Sequence, residues 1–276
     1  MIPAPFAYRR AESVAHAIEL LGEHGDEDPK VLAGGHSLLP MMKLRFARPA
    51  LVIDIGGLSG LDYIRAAGGE IAIGALTRHV TLETSPLRAQ AAPLLRHAAS
   101  AVGDCQVRHR GTIGGSVAHG DPAADLPAAL MALRGTVIAE GPAGRRAIPI
   151  DDFYAGYLET ALAPDEIVLE LRVPRADDQR WGFQKFRRRA IDWAVVGVAY
   201  QAEPAGGGIG LVSMGLTTLR ASSAEAALRA GAPVGEAAQL ADADAEPAGD
   251  TAATREFRRH LARTLLARAL AGKASH

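Results

Sequence analysis

Two glycine-rich segments constrain this 276-residue chain more than any other feature of its sequence. They span residues 33–45 and 110–127, and each combines paired glycines with hydroxyl side chains. Glycine permits positive φ and lets a ligand approach without a clash at Cβ. Successive backbone N–H groups in such turns can form anion-binding concavities. Two such segments therefore favour a ligand with two linked phosphates. The alternative is that the glycines only make tight turns.

The pattern within these segments narrows the choice of phosphate site. Neither segment fits the dinucleotide fingerprint G-x-G-x-x-G or the phosphate loop G-x-x-x-x-G-K-[ST]. Ser37, Thr112 and Ser116 stand next to the glycines, and each offers a hydroxyl donor. The prediction is a phosphate site of a less common kind, built from two separate loops.

Composition excludes several other functions. The only cysteine, Cys105, cannot form an intramolecular disulfide, a four-cysteine zinc site or an all-cysteine iron–sulfur cluster. With 30 basic and 31 acidic residues the formal charge is −1, which argues against nucleic acid as a partner. No apolar stretch approaches the roughly 18–20 residues of a membrane span. The N-terminus has no secretion-signal pattern, so we expect a cytoplasmic location.

Alternating apolar residues and turn signals predict an α+β fold in two domains. We place the larger domain at residues 1–176 and the smaller at 177–276, with a break in pattern after Pro174. The smaller domain should hold a three-stranded antiparallel sheet followed by Ala-rich helices. The predicted strands are residues 31–33, 51–55, 63–67, 70–75, 136–140, 145–150 and 167–173 in the first domain, and 181–186, 193–201 and 209–217 in the second.

The two glycine-rich segments resemble the FAD-binding loops of the medium, flavoprotein subunit of molybdenum hydroxylases. This is the xanthine dehydrogenase family, and the likeness is greatest to its carbon monoxide dehydrogenase type. The family pattern A-G-G-x-S-L-x-P-x-M-x-x-R stands here as Ala33 to Arg45. The pattern G-T-I-G-G-N stands as Gly111 to Ser116, with serine where asparagine is usual, and D-P-x-x-D-x-P as Asp121 to Pro127. Weaker likeness continues through residues 153–167 and 185–192.

The resemblance implies a two-lobed FAD-binding domain and a set of cofactor-binding residues. Val102 and Val168 match apolar positions packed on the cofactor, and Asp125 matches an acidic residue that contacts it. Lys185 matches a lysine near the flavin, where its charge can tune the cofactor's electronic properties. Trp193 matches an aromatic beside the isoalloxazine, although it could also be a core residue of its predicted strand. The remaining residues implied are Leu32, Ala33, Gly34, Gly35, His36, Ser37, Leu38, Leu39, Gly111, Thr112, Ile113, Gly114, Gly115, Ser116 and Asp121.

The resemblance also implies a place in a larger complex. A large subunit would hydroxylate the substrate at a molybdenum–pterin centre, and [2Fe–2S] clusters in a small subunit would pass electrons to FAD on this chain. The chain would deliver them to an external acceptor, with no catalytic side chain and no metal ligand of its own. Two alternatives stay open from the sequence: a stand-alone flavin-dependent oxidase or dehydrogenase, and a non-catalytic assembly module of the same fold.

Overall fold

The computed structural model describes residues 2–86, 91–177, 179–203 and 207–272. The first lobe is a parallel sheet of three strands, in the order β1-β3-β2. Helix α1 begins at Ser13, whose hydroxyl accepts a hydrogen bond from the His16 N–H at 3.0 Å. It buries Ala17, Ile18 and Leu21 against the sheet. The elements of this lobe are β1 (Ala7–Arg10), α1 (Val14–Glu23), β2 (Lys30–Leu32), α2 (Leu38–Leu44) and β3 (Leu51–Asp54).

The second lobe is an antiparallel sheet of five strands, in the order β4-β5-β10-β6-β7, with helices packed against it. Both hairpins predicted here, β4 with β5 and β6 with β7, are confirmed. The strands are β4 (Ile64–Ala67), β5 (Glu70–Gly74), β6 (Thr136–Gly141), β7 (Gly144–Pro149) and β10 (Ile167–Pro174). The helices are α3 (His79–Thr84), α4 (Pro93–Ser100), α5 (Cys105–Arg110), α6 (Ile113–His119) and α7 (Asp125–Ala132), and a small hairpin forms from β8 (Tyr154–Gly156) and β9 (Glu159–Thr160).

The C-terminal sheet has four antiparallel strands, in the order β11-β12-β13-β14. The sequence predicted three, and the fourth was missed because it is only two residues long and exists by pairing with β13. The second strand begins at Val196, not at the predicted Trp193. The elements are β11 (Trp181–Phe186), β12 (Val196–Gln201), β13 (Gly208–Val212), β14 (Leu219–Arg220), α8 (Ser222–Arg229), α9 (Val234–Gln239) and α10 (Arg255–Leu270).

Helix α7 is buried along its whole length and lies against strands β12 and β13 of the C-terminal sheet. The contact is close because β13 presents glycines to the helix. A Cβ built on Gly208 or Gly210 would collide with the backbone of Ala132 or Ala128. The middle and the end of α7 therefore lie directly against β13. None of the helices in the described ranges is long and apolar enough to cross a membrane.

Candidate cofactor site

The first glycine-rich loop connects β2 to α2 and leaves a row of backbone donors unused. Gly35 has φ +79°, a conformation that favours glycine. Within the described residues, no hydrogen bond engages the N–H groups of Gly34, Gly35, His36 or Ser37. Ser37 occupies the N-cap position of α2, yet its side chain makes no capping bond. The loop thus offers four successive N–H donors and a free hydroxyl to a ligand.

The second glycine-rich loop leads into α6 and uses its donors within the protein. The N–H of Ile113 donates to the Thr77 carbonyl at 3.0 Å, and the N–H of Gly114 donates to the Ala75 carbonyl at 2.9 Å. Gly114 is essential to this contact, because a Cβ there would lie 2.7 Å from the Ala75 oxygen. The expectation that both loops form anion-binding concavities is wrong for this part of the second loop.

Thr112 completes the internal hydrogen bonding of the second loop. Its hydroxyl caps α6 by accepting from the Gly115 N–H at 3.2 Å, and its carbonyl accepts from the Ser116 N–H at 3.0 Å. The hydroxyl of Ser116 has no partner within the part of the chain that the structure describes. Ser116 is therefore the side chain through which the second loop can donate to a ligand.

The two loops lie in direct contact, so the sequence correctly predicted that they meet. A Cβ built on Gly34 would lie 3.0 Å from the Gly111 Cα, and one built on Gly115 would lie 3.9 Å from the Ala33 Cβ. Side chains at Gly34 would displace the second loop. The glycines thus serve the approach of one loop to the other as well as the approach of a ligand.

Burial separates the predicted cofactor-binding residues into two groups. Buried residues support the loops from within the protein. Exposed residues can contact a ligand without any change in conformation. The buried residues are Gly111, Thr112, Ile113, Gly114, Asp125 and Val168. The partly or fully exposed residues are Leu32, Ala33, Gly34, Gly35, His36, Ser37, Leu38, Leu39, Val102, Gly115, Ser116, Asp121 and Trp193, and Lys185 is partly exposed as a residue although its side chain is buried.

Asp125 and Lys185 form a buried ion pair that links the start of α7 to strand β11. Lys185 Nζ lies 2.6 Å from Asp125 Oδ2 and donates to the Ala101 carbonyl at 3.0 Å. The two side chains are 4% and 3% exposed for Asp125 and Lys185 respectively. Burial raises the pKa of Asp125, and the Lys185 charge opposes that rise only in part. The second carboxylate oxygen, Oδ1, is buried and has no hydrogen-bond partner among the residues that the structure describes.

Two predicted residues, Trp193 and Asp121, lie in loops. Trp193 is 60% exposed and precedes β12, so it is not a core residue of a strand. Asp121 starts a turn in which its Oδ1 accepts from the Ala123 N–H at 2.8 Å. Their predicted contacts with the cofactor stay predictions, as do those of the loop residues.

His79 is a residue that the sequence analysis missed. It begins α3, its N–H donates to the Gly111 carbonyl at 3.0 Å, and its ring is buried against Gly111. A single histidine at the start of a short helix carries no local signal. Its proximity to the second glycine-rich loop comes from the antiparallel bridge between Arg78 and Thr112.

Comparison with known proteins agrees with this geometry. Residues 4–176 match the family model of the FAD binding domain in molybdopterin dehydrogenase, and residues 181–272 match the CO dehydrogenase flavoprotein C-terminal domain. The chain is 41% identical to the carbon monoxide dehydrogenase medium chain of Hydrogenophaga pseudoflava, over 98% of this chain and 97% of that one. It is 37% identical to the 6-hydroxypseudooxynicotine dehydrogenase complex subunit alpha of Paenarthrobacter nicotinovorans, over 100% and 96%.

Solved structures give the same result. The carbon monoxide dehydrogenase from Hydrogenophaga pseudoflava superposes with a TM-score of 0.94 at 42% identity, covering 99% of this chain and 98% of that chain. Quinoline 2-oxidoreductase from Pseudomonas putida 86 superposes with a TM-score of 0.90 at 29% identity, with the same coverage. The fold and site define an FAD-binding flavoprotein of the oxidoreductases. The chain belongs to the FAD-binding medium-subunit family of the molybdenum hydroxylases, the family that includes the carbon monoxide dehydrogenase medium chains.

Proposed function

We propose that this chain is the electron-transfer subunit of a heteromeric molybdenum hydroxylase. It accepts electrons from [2Fe–2S] clusters of a small partner subunit and passes them to an external acceptor, while a large subunit carries the molybdenum cofactor. The observation that carries the proposal is the row of unused N–H groups at residues 34–37, held against a second glycine-rich loop in a chain of this family.

The residues present fit FAD, since its pyrophosphate is a polyanion that backbone N–H groups bind well. The N–H groups of Gly34, Gly35, His36 and Ser37 are the donors that would hold it. Gly35 keeps the loop in its left-handed turn, and the absence of a side chain at Gly34 lets the second loop close the same site. The Ser116 hydroxyl would donate from the second loop.

The buried Asp125–Lys185 pair would set the position of the C-terminal domain beside the cofactor. Lys185 belongs to β11, whereas its partners Asp125 and Ala101 belong to the first domain. FAD, when bound, supplies two-electron chemistry that can exchange electrons with one-electron and two-electron partners. This chain contributes by binding and orienting the cofactor, and by holding a fixed lysine charge in a buried place.

The proposed division of labour rests on composition and on relatives. Cys105 is the only cysteine, and one thiolate cannot hold an iron–sulfur cluster that needs four ligands. Relatives are described as a medium chain and as a subunit of a complex. The two family-model matches, residues 4–176 and 181–272, support domains at 1–176 and 177–276. A cytoplasmic location is part of the same proposal.

Purification from the native source tests this proposal directly. The chain should co-purify with a larger and a smaller subunit, and molybdenum, iron and FAD should be present together. Mass spectrometry of the released cofactor should give FAD. A complex without iron or molybdenum that still turns over an organic substrate would support a stand-alone flavoenzyme. A colourless chain bound to both partners would support an assembly module.

A further inference from the structure

His79 is a buried titratable side chain that the proposed function does not use. The residue is 4% exposed, and within the described residues neither ring nitrogen has a hydrogen-bond partner of good geometry, the Thr112 backbone being the polar group near the ring. A buried polar group without a partner destabilises the folded state, so a histidine here is costly unless the ring serves another purpose.

The His79 ring packs against the backbone at the junction of the two glycine-rich loops. A Cβ built on Gly111 would lie 2.8 Å from His79 Cε1 and 2.9 Å from Nδ1, so the ring lies directly against Gly111. Gly111 in turn contacts Gly34, whose Cβ position is 3.0 Å from the Gly111 Cα. One residue therefore separates the imidazole from the first of the four unused N–H donors.

The surroundings of His79 favour its neutral form. Burial lowers the pKa of His79 to about 4. Electrostatic interactions with Arg108, Arg78 and the neighbouring His36 act in the same direction, and hydrogen bonding with the Thr112 backbone opposes them. A proton on His79 would thus place a charge in a dry space that already faces cations.

The nearby charges are themselves tied to the loops. Arg78 donates to the Arg110 carbonyl, next to Gly111, and Arg108 pairs with Glu83 at a distance of 2.8 Å. Glu83 is paired with Arg108, so the group near the ring that favours a protonated His79 is the Thr112 backbone. A protonated ring could gain solvent or a partner only by moving away from Gly111.

We propose that neutral His79 is a positioning residue for the cofactor loops, and that its protonation displaces Gly111 and releases the cofactor. The inference rests on the proposed FAD site. It adds His79 as a residue that packs against Gly111 on the side away from the ligand and does not contact the cofactor. Lowering the pH should then release the cofactor because a single side chain, His79, becomes protonated.

The test compares FAD dissociation from the loaded full-length chain across pH in three variants. His79→Phe keeps a flat ring that cannot take up a proton, and His79→Gln keeps a neutral polar group in case Phe does not fold. His79→Ala removes the ring that packs against Gly111. His109→Phe is the matched control, because His109 is exposed on α5 and its Nδ1 contacts the Cys105 carbonyl.

Stopped-flow flavin fluorescence should show wild-type FAD release at least about tenfold faster near pH 4.5 than near pH 7.5, because protonated His79 is expelled from its dry site. His109→Phe should behave like the wild type. His79→Phe and His79→Gln should lose most of this acid acceleration while keeping slow release near pH 7.5, and His79→Ala should release FAD faster at both pH values.

An unchanged acid profile in both His79→Phe and His79→Gln would overturn the inference while leaving the FAD site intact. A wild-type chain that takes up no FAD would instead overturn the proposed function on which the inference rests. Titration of the wild-type His79 ring by ¹⁵N NMR gives a check without any substitution. An ordinary midpoint near 6.5 would contradict the dry, unpartnered environment.

Discussion

Among the described residues, the first glycine-rich loop leaves its backbone donors at residues 34–37 unused, whereas the second donates from Ile113 and Gly114 to the segment between β5 and α3. Both loops carry paired glycines and hydroxyl residues, so their sequences suggest one role. Their hydrogen bonds assign two roles: the first loop is a ligand surface, and the second is a framework that supports it. Substitutions in the two loops should therefore damage different properties.

The largest effect should come from Gly114→Val in the second loop. A Cβ at this position would lie 2.7 Å from the Ala75 carbonyl oxygen, and relieving the overlap would break the bond that fastens the loop. We expect a loss of roughly 3 kcal/mol in the free energy of unfolding, as for a severe overpacking. Urea denaturation of the apoprotein measures it.

The matched control is Gly22→Val, which also places valine at a helical glycine but has no atom within 4 Å of the new Cβ. It should change stability by less than about 1 kcal/mol, since only helix propensity is affected. Equal losses in the two variants would show that the contact with Ala75 has no special importance.

Gly35→Val in the first loop should affect the cofactor more than the fold. The residue has φ +79°, and its Cβ would meet Leu39 Cδ1 at 2.9 Å, so the loop must change shape. We expect FAD affinity to fall about 100-fold, close to 2.7 kcal/mol. The strain should cost the apoprotein only about 1–2 kcal/mol of stability. Isothermal titration with FAD and urea denaturation separate the two quantities.

Gly68→Val controls for backbone strain alone. Gly68 has φ +63° in the hairpin turn between β4 and β5, and nothing lies within 4 Å of its Cβ position. It should lose a similar amount of stability to Gly35→Val and keep its FAD affinity. If Gly35→Val retained FAD as well as this control does, the first loop would not be the ligand surface.

The pH dependence of stability tests the environment of His79, the residue that packs against the second glycine-rich loop. The pKa of His79 is lowered to about 4 in the folded chain from an ordinary 6.5. Below pH 6.5 the unfolded chain binds a proton that the folded chain does not. The free energy of unfolding should therefore decrease as the pH is lowered, and it should level off below about pH 4. Between pH 7 and 5 the loss from this group is about 2 kcal/mol.

The measurement compares urea midpoints of wild type and His79→Phe at both pH values. Contributions from all other groups cancel in the difference, so the wild type should lose about 2 kcal/mol more than the variant. Parallel curves would show that His79 is protonated as easily in the folded chain as in the unfolded one.

Local patterns predicted much of this molecule. The hairpin at β4 and β5 follows from two alternating runs around Gly68 and Gly69, and the meeting of the two glycine-rich loops follows from their family motif. Strand β14 was missed because two residues carry no periodicity and form a strand only by pairing with β13. Strand β14 therefore depends on a contact that its own residues do not encode, although β13 ends only a few residues upstream.

The same cause explains what was missed at the site. The second loop has no spare N–H at Ile113 and Gly114 because Thr77 and Ala75 supply acceptors from more than one helix away in the sequence. His79 acquires its position through the same segment. The ion pair of Asp125 with Lys185 joins two residues that were each predicted as cofactor contacts, with no sequence signal that they bind each other.

The smallest expected effect distinguishes the loops most cleanly, because it compares two hydroxyls at equivalent helix positions. Thr112 caps α6 by accepting from the Gly115 N–H, whereas Ser37 at the N-cap of α2 makes no capping bond. Thr112→Ala should therefore cost about 1 kcal/mol of apoprotein stability, the usual value of a cap. Ser37→Ala should leave stability unchanged and weaken FAD binding by about fivefold to tenfold, the worth of one hydrogen bond to a charged group that is partly replaced by water. Denaturation and FAD titration of both variants would show either this crossed pattern or, if the effects were alike, that the two loops share one role.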